Sequence, residues 1–171
     1  IAIEADNRDK GFGDSTALMT MVLMDKYGQS TERAIRNRTL EGSNEGDKSL
    51  VIFDSPGDVR GTAFLSHTKK ADSDDQWLYL PALKRVKRIA SSNKAGPFMG
   101  SEFSYEDIAS QEVEKYTYNY LRDESLNGID CFVVEYDPVD PKSGYTRQLV
   151  WMDKAEYRVH KIDFYDRKNA L

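Results

Sequence analysis

Two histidines, one cysteine and one run of acids supply the side chains most able to do chemistry: His67, His160, Cys131 and the tetrapeptide DSDD at 72–75. Neither histidine has a serine, cysteine or carboxylate spaced to complete a triad, so a strand histidine satisfied by its neighbours is the plainer reading of each. Cys131 opens an apolar run and reads as a small core residue rather than a nucleophile. Hard cations favour clustered carboxylates, but DSDD lacks the glycine and terminal glutamate of a calcium loop and reads as a solvated turn. No Cys/His spacing points to zinc. GFGD (11–14) has neither a preceding strand nor the lysine of a phosphate-binding loop. No catalytic residue, metal site or cofactor is expected.

The aromatic and basic residues are more informative. QWLYLPALKRVKRI (76–89) sets Trp77 and Tyr79 on one face of a strand, Leu78 and Leu80 on the other, then four cations in five positions: Lys84, Arg85, Lys87 and Arg88. Stacking aromatics beside a basic groove also mark single-strand nucleic-acid binders. A net charge of −5 and the absence of a nucleic-acid motif argue against that class. A cationic rim beside apolar surface suits an anionic headgroup or an acidic partner protein. Tyr116, Tyr118 and Tyr120 share one strand face and present apolar bodies with polar tips, as the boundary between a cavity and water requires. Met19, Met21 and Met24 offer adaptable packing. Ordinary core packing and cross-strand pairing account for the same residues.

The elements that carry these residues follow a period of two. Strands are expected at 15–25, 30–42, 49–54, 61–69, 76–80, 85–90, 114–125, 131–137, 145–153 and 157–166. The first is apolar on both faces, which predicts cover on both sides; the second is more polar and reads as an edge or half-exposed strand. Asn127-Gly128 is a strong hairpin signal. Helix is confined to residues 1–10, a turn near 56–60 and the segment 104–110, where Ser104 and Asp107 form a weak capping box. The chain is 39% hydrophobic and 31% charged, without repeats or a linker, and reads as one mostly-β domain, 1–171, built on an antiparallel sheet. Strands apolar on both faces with so little helix suggest strong curvature, with a concave side filled by helices, loops or a ligand. No apolar run approaches the ~18 residues of a membrane span, and no signal peptide is visible in the opening residues.

Three stretches carry a family resemblance: DKSLVIFDSPGDVRGTAFLSHT (47–68), DDQWLYLPALKRVKRIASSNKAGPFMGSEFSYED (74–107) and YTRQLVWMDKAEYRVHKIDFYDRK (145–168). They resemble the LolA-like outer-membrane lipoprotein-sorting proteins of Gram-negative bacteria, in the branch often encoded beside exporters of the resistance-nodulation-division type. The likeness runs from GFGD to the last residue. It implies a periplasmic protein whose signal peptide has been removed. It also implies an incomplete antiparallel β-barrel, a strongly curved sheet closed by a few short helices around an apolar cavity. Members generally continue past the segment that ends here at DRKNAL, which implies a chain shortened at its C-terminus.

The combined expectation is a non-enzymatic periplasmic carrier or chaperone that holds a lipid, a lipoprotein acyl chain or another hydrophobic ligand inside the half-barrel. Desolvation would drive binding at about 0.8 kcal/mol per buried methylene. Met19, Met21, Phe64, Trp77, Leu78, Tyr79, Tyr116, Tyr118 and Trp151 are the candidate cavity lining, although alternation leaves open which face is inward. Lys84, Arg85, Lys87 and Arg88 are the candidates for headgroup or partner contact. The alternatives are a protein-interaction accessory of an inner-membrane exporter without lipid cargo, and a hydrolase of envelope lipids. The expected partners are lipid or lipoprotein acyl chains and such an exporter, with no nucleic acid and with peripheral rather than spanning contact to membranes.

Overall fold

A computed structural model describes residues 1–171. The chain folds as two compact units, residues 11–110 and residues 1–10 together with 111–171. In the first, β1 (Asp14–Met24), β2 (Ser30–Leu40), β3 (Lys48–Ser55), β4 (Ala63–His67), β5 (Asp75–Leu80) and β6 (Arg85–Ile89) form an antiparallel meander in sequence order. Alternation turns Ile35, Val51, Phe53, Phe64 and Leu78 to one face, where they are buried. The segment 90–110 covers that face with Phe98 and Tyr105. The rings of Phe53, Phe64 and Tyr105 all lie within 5.9 Å of Phe98, inside the range at which aromatic pairs attract beyond simple burial. The helix expected at 104–110 shrinks to a single 3-10 turn, Glu106–Ile108. Its capping box forms: the backbone N–H and the hydroxyl of Ser104 both donate to the Asp107 carboxylate, at 2.6 and 2.8 Å.

In the second unit β7 (Tyr116–Leu126), β8 (Ile129–Pro138), β9 (Tyr145–Asp153) and β10 (Val159–Asp166) pair antiparallel in the order β10-β9-β8-β7. The Asn127-Gly128 hairpin closes with both residues at positive φ, 51° and 84°, the combination a two-residue turn needs to follow the strand twist. One face of this sheet buries Val134, Tyr136, Val150 and Met152 beneath helix α1 (Ala2–Arg8), which presents Ala2 and Ala5 to it. The opposite face buries Cys131, Val133 and Trp151.

This architecture overturns the expected fold. The strands form two open sheets, so β1, β6, β7 and β10 each keep an unpaired edge. There is one α-helix, α1, and the other helical pieces are single 3-10 turns. A strongly curved half-barrel closed by several helices is not present. The expectation that β1 is covered on both sides also fails. β1 is an edge strand with Leu18, Val22 and Met24 more than half exposed, while the more polar β2 sits between β1 and β3. Apolar alternation on two faces records side-chain type and not burial. Burial requires a covering element, and none lies on that face of β1.

Candidate functional site

A groove of about 790 Å³ lies between α1, the segment before β7 and the inner face of the four-stranded sheet. Helix α1 packs Ala2 and Ala5 on the sheet, and Arg8 ties its C-terminal end to the loop before β10. Arg8 pairs with Glu4 one turn back at 2.7 Å, donates to the carbonyl of Ala155 at 3.0 Å and stacks over the Tyr157 ring at 4.4 Å. The helix faces the groove with alanines, so no side chain fills the gap below it. The floor is Tyr118, Tyr136, Val150, Met152 and Ile162. Tyr118 meets Tyr136 edge-on at 4.6 Å, Tyr116 lies 5.8 Å from Tyr136, and the Tyr118 hydroxyl donates to the carbonyl of Val113 at 2.8 Å. Burial raises both phenols, Tyr136 to about 12 and Tyr118 further, so both stay neutral. Around the mouth, Asp6, Asp9, Glu112 and Glu156 outnumber Arg8 and Arg158.

Of the nine predicted lining residues, Tyr116 and Tyr118 stand in this groove. Phe64 and Leu78 are core residues of the six-stranded sheet, and Met21 packs against the same core. Met19 is 44% exposed on that face of β1. Trp77 and Tyr79 turn to the opposite face, where Trp77 meets His67 edge-on at 5.2 Å. Trp151 is buried on the far face of the smaller sheet; its indole N–H donates to Glu124 at 3.0 Å and the Lys161 ammonium sits 4.1 Å over its ring. Within the six-stranded sheet Trp77 and Tyr79 thus face away from Phe64 and Leu78, and within the four-stranded sheet Trp151 faces away from Tyr116 and Tyr118.

The four cations are also divided. Lys84 caps the 3-10 turn Pro81–Leu83 in the left-handed conformation. Arg85 and Lys87 point to the face of Leu78 and Leu80, and Arg88 to the face of Trp77. Arg88 is bound to Asp75, which also pairs with Lys69 at 2.9 Å. Those two cations, Lys69 first, hold the Asp75 carboxyl below its ordinary range. Lys84, Arg85 and Lys87 have no such partner.

Sequence reading missed two features. Asp153 is 6% exposed; its Oδ1 accepts the backbone N–H of Glu156 at 2.5 Å, and its Oδ2 accepts that of Arg158 at 3.2 Å and lies 2.9 Å from His160 Nε2. These contacts, the Glu156 amide first, lower it to about 2. The two amides come from the turn at 154–158, which side-chain patterns do not encode, and His160 comes from β10. Two alanines of α1 define the groove, and small residues carry no signal by themselves. Cys131 stands across from Asp153 on β8, but it is fully buried and burial, with the Asp153 charge second, raises its thiol, which suits a core residue and not a nucleophile. No three His, Cys, Asp or Glu side chains converge as a metal site would need.

A family model described only as an uncharacterized protein matches residues 45–171. No curated protein matches the sequence. Among solved structures, a domain from Vibrio parahaemolyticus assigned to the outer membrane lipoprotein-sorting proteins is 58% identical. It matches over 99% of this chain and 72% of its own, with a TM-score of 0.97. A DUF1329 family protein from Desulfovibrio piger is 33% identical, over 99% of this chain and 72% of its own, with a TM-score of 0.92. A LolA superfamily protein from Nitrosomonas europaea, 23% identical over 98% of this chain and 71% of its own with a TM-score of 0.67, shares the fold.

The chain therefore belongs to the LolA-like outer-membrane lipoprotein-sorting protein family. Membership makes it a periplasmic protein without enzymatic activity. The function expected from sequence needs one correction: the enclosing cavity on which the carrier reading depended is absent, because the sheet meant to wall it is two open sheets.

Proposed function

We propose that this protein is a non-catalytic component of lipoprotein handling that receives the acylated end of a lipoprotein along the open groove between α1 and the four-stranded sheet. The observation that carries the reading is the groove itself: a volume of about 790 Å³ above Tyr118, Tyr136, Val150, Met152 and Ile162, roofed by Ala2 and Ala5. Ligand clefts commonly measure about 300–1,000 Å³ with mainly apolar walls and a few polar groups. An acyl chain lying here loses contact with water on the floor side and keeps it along the opening. Each methylene then contributes less than the ~0.8 kcal/mol of full burial, and the complex exchanges readily. Loose, reversible contact is what a protein that hands cargo onward requires. The excess of acids at the mouth disfavours the phosphate of a phospholipid and tolerates the neutral or basic peptide that follows a lipidated terminus.

The test fills the groove from the side of the helix. Ala5→Phe places a ring into the gap while exchanging a helical residue for one of only modestly lower helix propensity. Isothermal titration with an N-palmitoylated peptide is expected to show saturable binding, weakened at least about tenfold by Ala5→Phe with unchanged far-UV circular dichroism. Phosphatidylglycerol of equal acyl content is expected to bind less well than the peptide. Equal affinity of wild type and Ala5→Phe for the peptide would remove the groove from the account.

A further inference from the structure

Strand β6 is the last strand of the six-stranded sheet, and its outer edge pairs with nothing. Its positions 85–88 are all exposed, in contrast with the buried positions on β3, β4 and β5. The two faces at this edge differ in chemistry. Arg85 and Lys87 lie across from Leu80 and Leu78 on one face; Val86 lies across from Tyr79 on the other, 65% and 37% exposed respectively. Asp75, the acid that pairs with this strand, is occupied by Arg88 and Lys69, so the positive charge of Arg85 and Lys87 stays uncompensated. Lys84 in the preceding turn adds a third free cation beside Leu83, which is 63% exposed.

We infer that the β6 edge is a docking strand for an extended acidic segment of a partner protein, added antiparallel to the sheet. An incoming strand places its alternate side chains on opposite faces. Acids at two positions two apart then stand opposite Arg85 and Lys87, and the apolar residue between them stands opposite Val86 against Tyr79. The backbone supplies the hydrogen bonds of strand addition, and the alternating pattern supplies specificity. Cations on an edge also serve to prevent pairing. On the face of Val86 the one cation, Arg88, is already bound to Asp75, so the uncompensated cations of this strand, Arg85 and Lys87, share one face and exposed Val86 and Tyr79 share the other. The surrounding protein has a net charge of −5, so the basic edge is the local exception that an acidic segment finds. This inference stands apart from the lipoprotein reading and survives its failure.

The probe is the peptide acetyl-SEVEVES-amide, labelled for fluorescence anisotropy, titrated with the full chain. Two N-methylated versions carry the methyl groups on the glutamates or on the valines, so that in strand addition one blocks the edge facing β6 and the other blocks only the far edge. The expected result is saturable binding, lost in one methylated frame and retained in the other. The double variant Arg85→Glu, Lys87→Glu should weaken it about tenfold. Both substitutions are at exposed positions and should leave the circular dichroism unchanged. Binding that ignores the methylation frame, binding equally strong for acetyl-SKVKVKS-amide, or no binding at all would overturn the inference. So would sedimentation of the protein with phosphatidylglycerol vesicles that depends on the same two cations when no peptide binds, which would make this edge a membrane contact.

Discussion

Asp153 shows how much a single side chain settles at the residue scale. Two turn amides and His160 converge on its carboxylate and hold its pKa at about 2, against about 4 in an unfolded chain. A carboxyl whose folded pKa lies below its unfolded one adds stability that is present above the unfolded value and is lost as pH falls through the folded one. Urea unfolding between about pH 4 and pH 2 is therefore expected to weaken more steeply in the wild type than in Asp153→Asn. Identical pH slopes would show that the turn does not depend on this charge. Phe98 makes the corresponding point for the core of the other unit, since it is 1% exposed at the centre of the aromatic cluster. Phe98→Ala should cost about 3–5 kcal/mol in denaturant titration. A loss below 1 kcal/mol would mean that the segment 90–110 does not seal this core.

Elements were the most legible level of the sequence, for reasons visible in particular cases. Period-two alternation located YTRQLVWMD as 145–153, and β9 spans Tyr145–Asp153. Asn127-Gly128 announced its own hairpin because only a few residues tolerate positive φ at two successive positions. Gly128 has φ +84° and open space where a Cβ would stand. Gly128→Ala should therefore destabilise purely through the backbone, by about 1–2 kcal/mol, read as a shift of the urea midpoint at constant slope. Partnership was not legible. β1 stands at the edge where cover on both sides was expected, while β2, paired on both edges, is the half-exposed strand its composition suggested. Hydrogen-bond order is fixed by chain connectivity and hairpin turns and not by which strand is more apolar. The groove was only half legible: the tyrosine row marked its floor, while its roof depends on where a seven-residue helix packs its alanines.

At the scale of the whole molecule, two open sheets leave four strand edges, and the two edges of the larger sheet differ most. β6 carries cations, whereas β1 has no charged residue between Asp14 and its end at Met24 and exposes Leu18, Val22 and Met24. Long uncharged apolar edges favour association. Leu18→Glu combined with Val22→Lys should reduce concentration-dependent self-association in sedimentation velocity while changing stability by no more than about 0.5 kcal/mol each. Unchanged association would place the sticky surface elsewhere.

The proposed function depends on where an acyl chain meets this protein. The most direct measurement is photo-crosslinking with an N-acylated peptide whose chain carries a diazirine near its methyl end, followed by mass-spectrometric mapping of the labelled residues. Labels on Tyr118, Met152, Ile162 and the alanine face of α1, removed by Ala5→Phe, are the predicted result. Labels concentrated on Trp77 and Tyr79, or on the exposed face of β1, would contradict the account and move lipid contact to the six-stranded sheet.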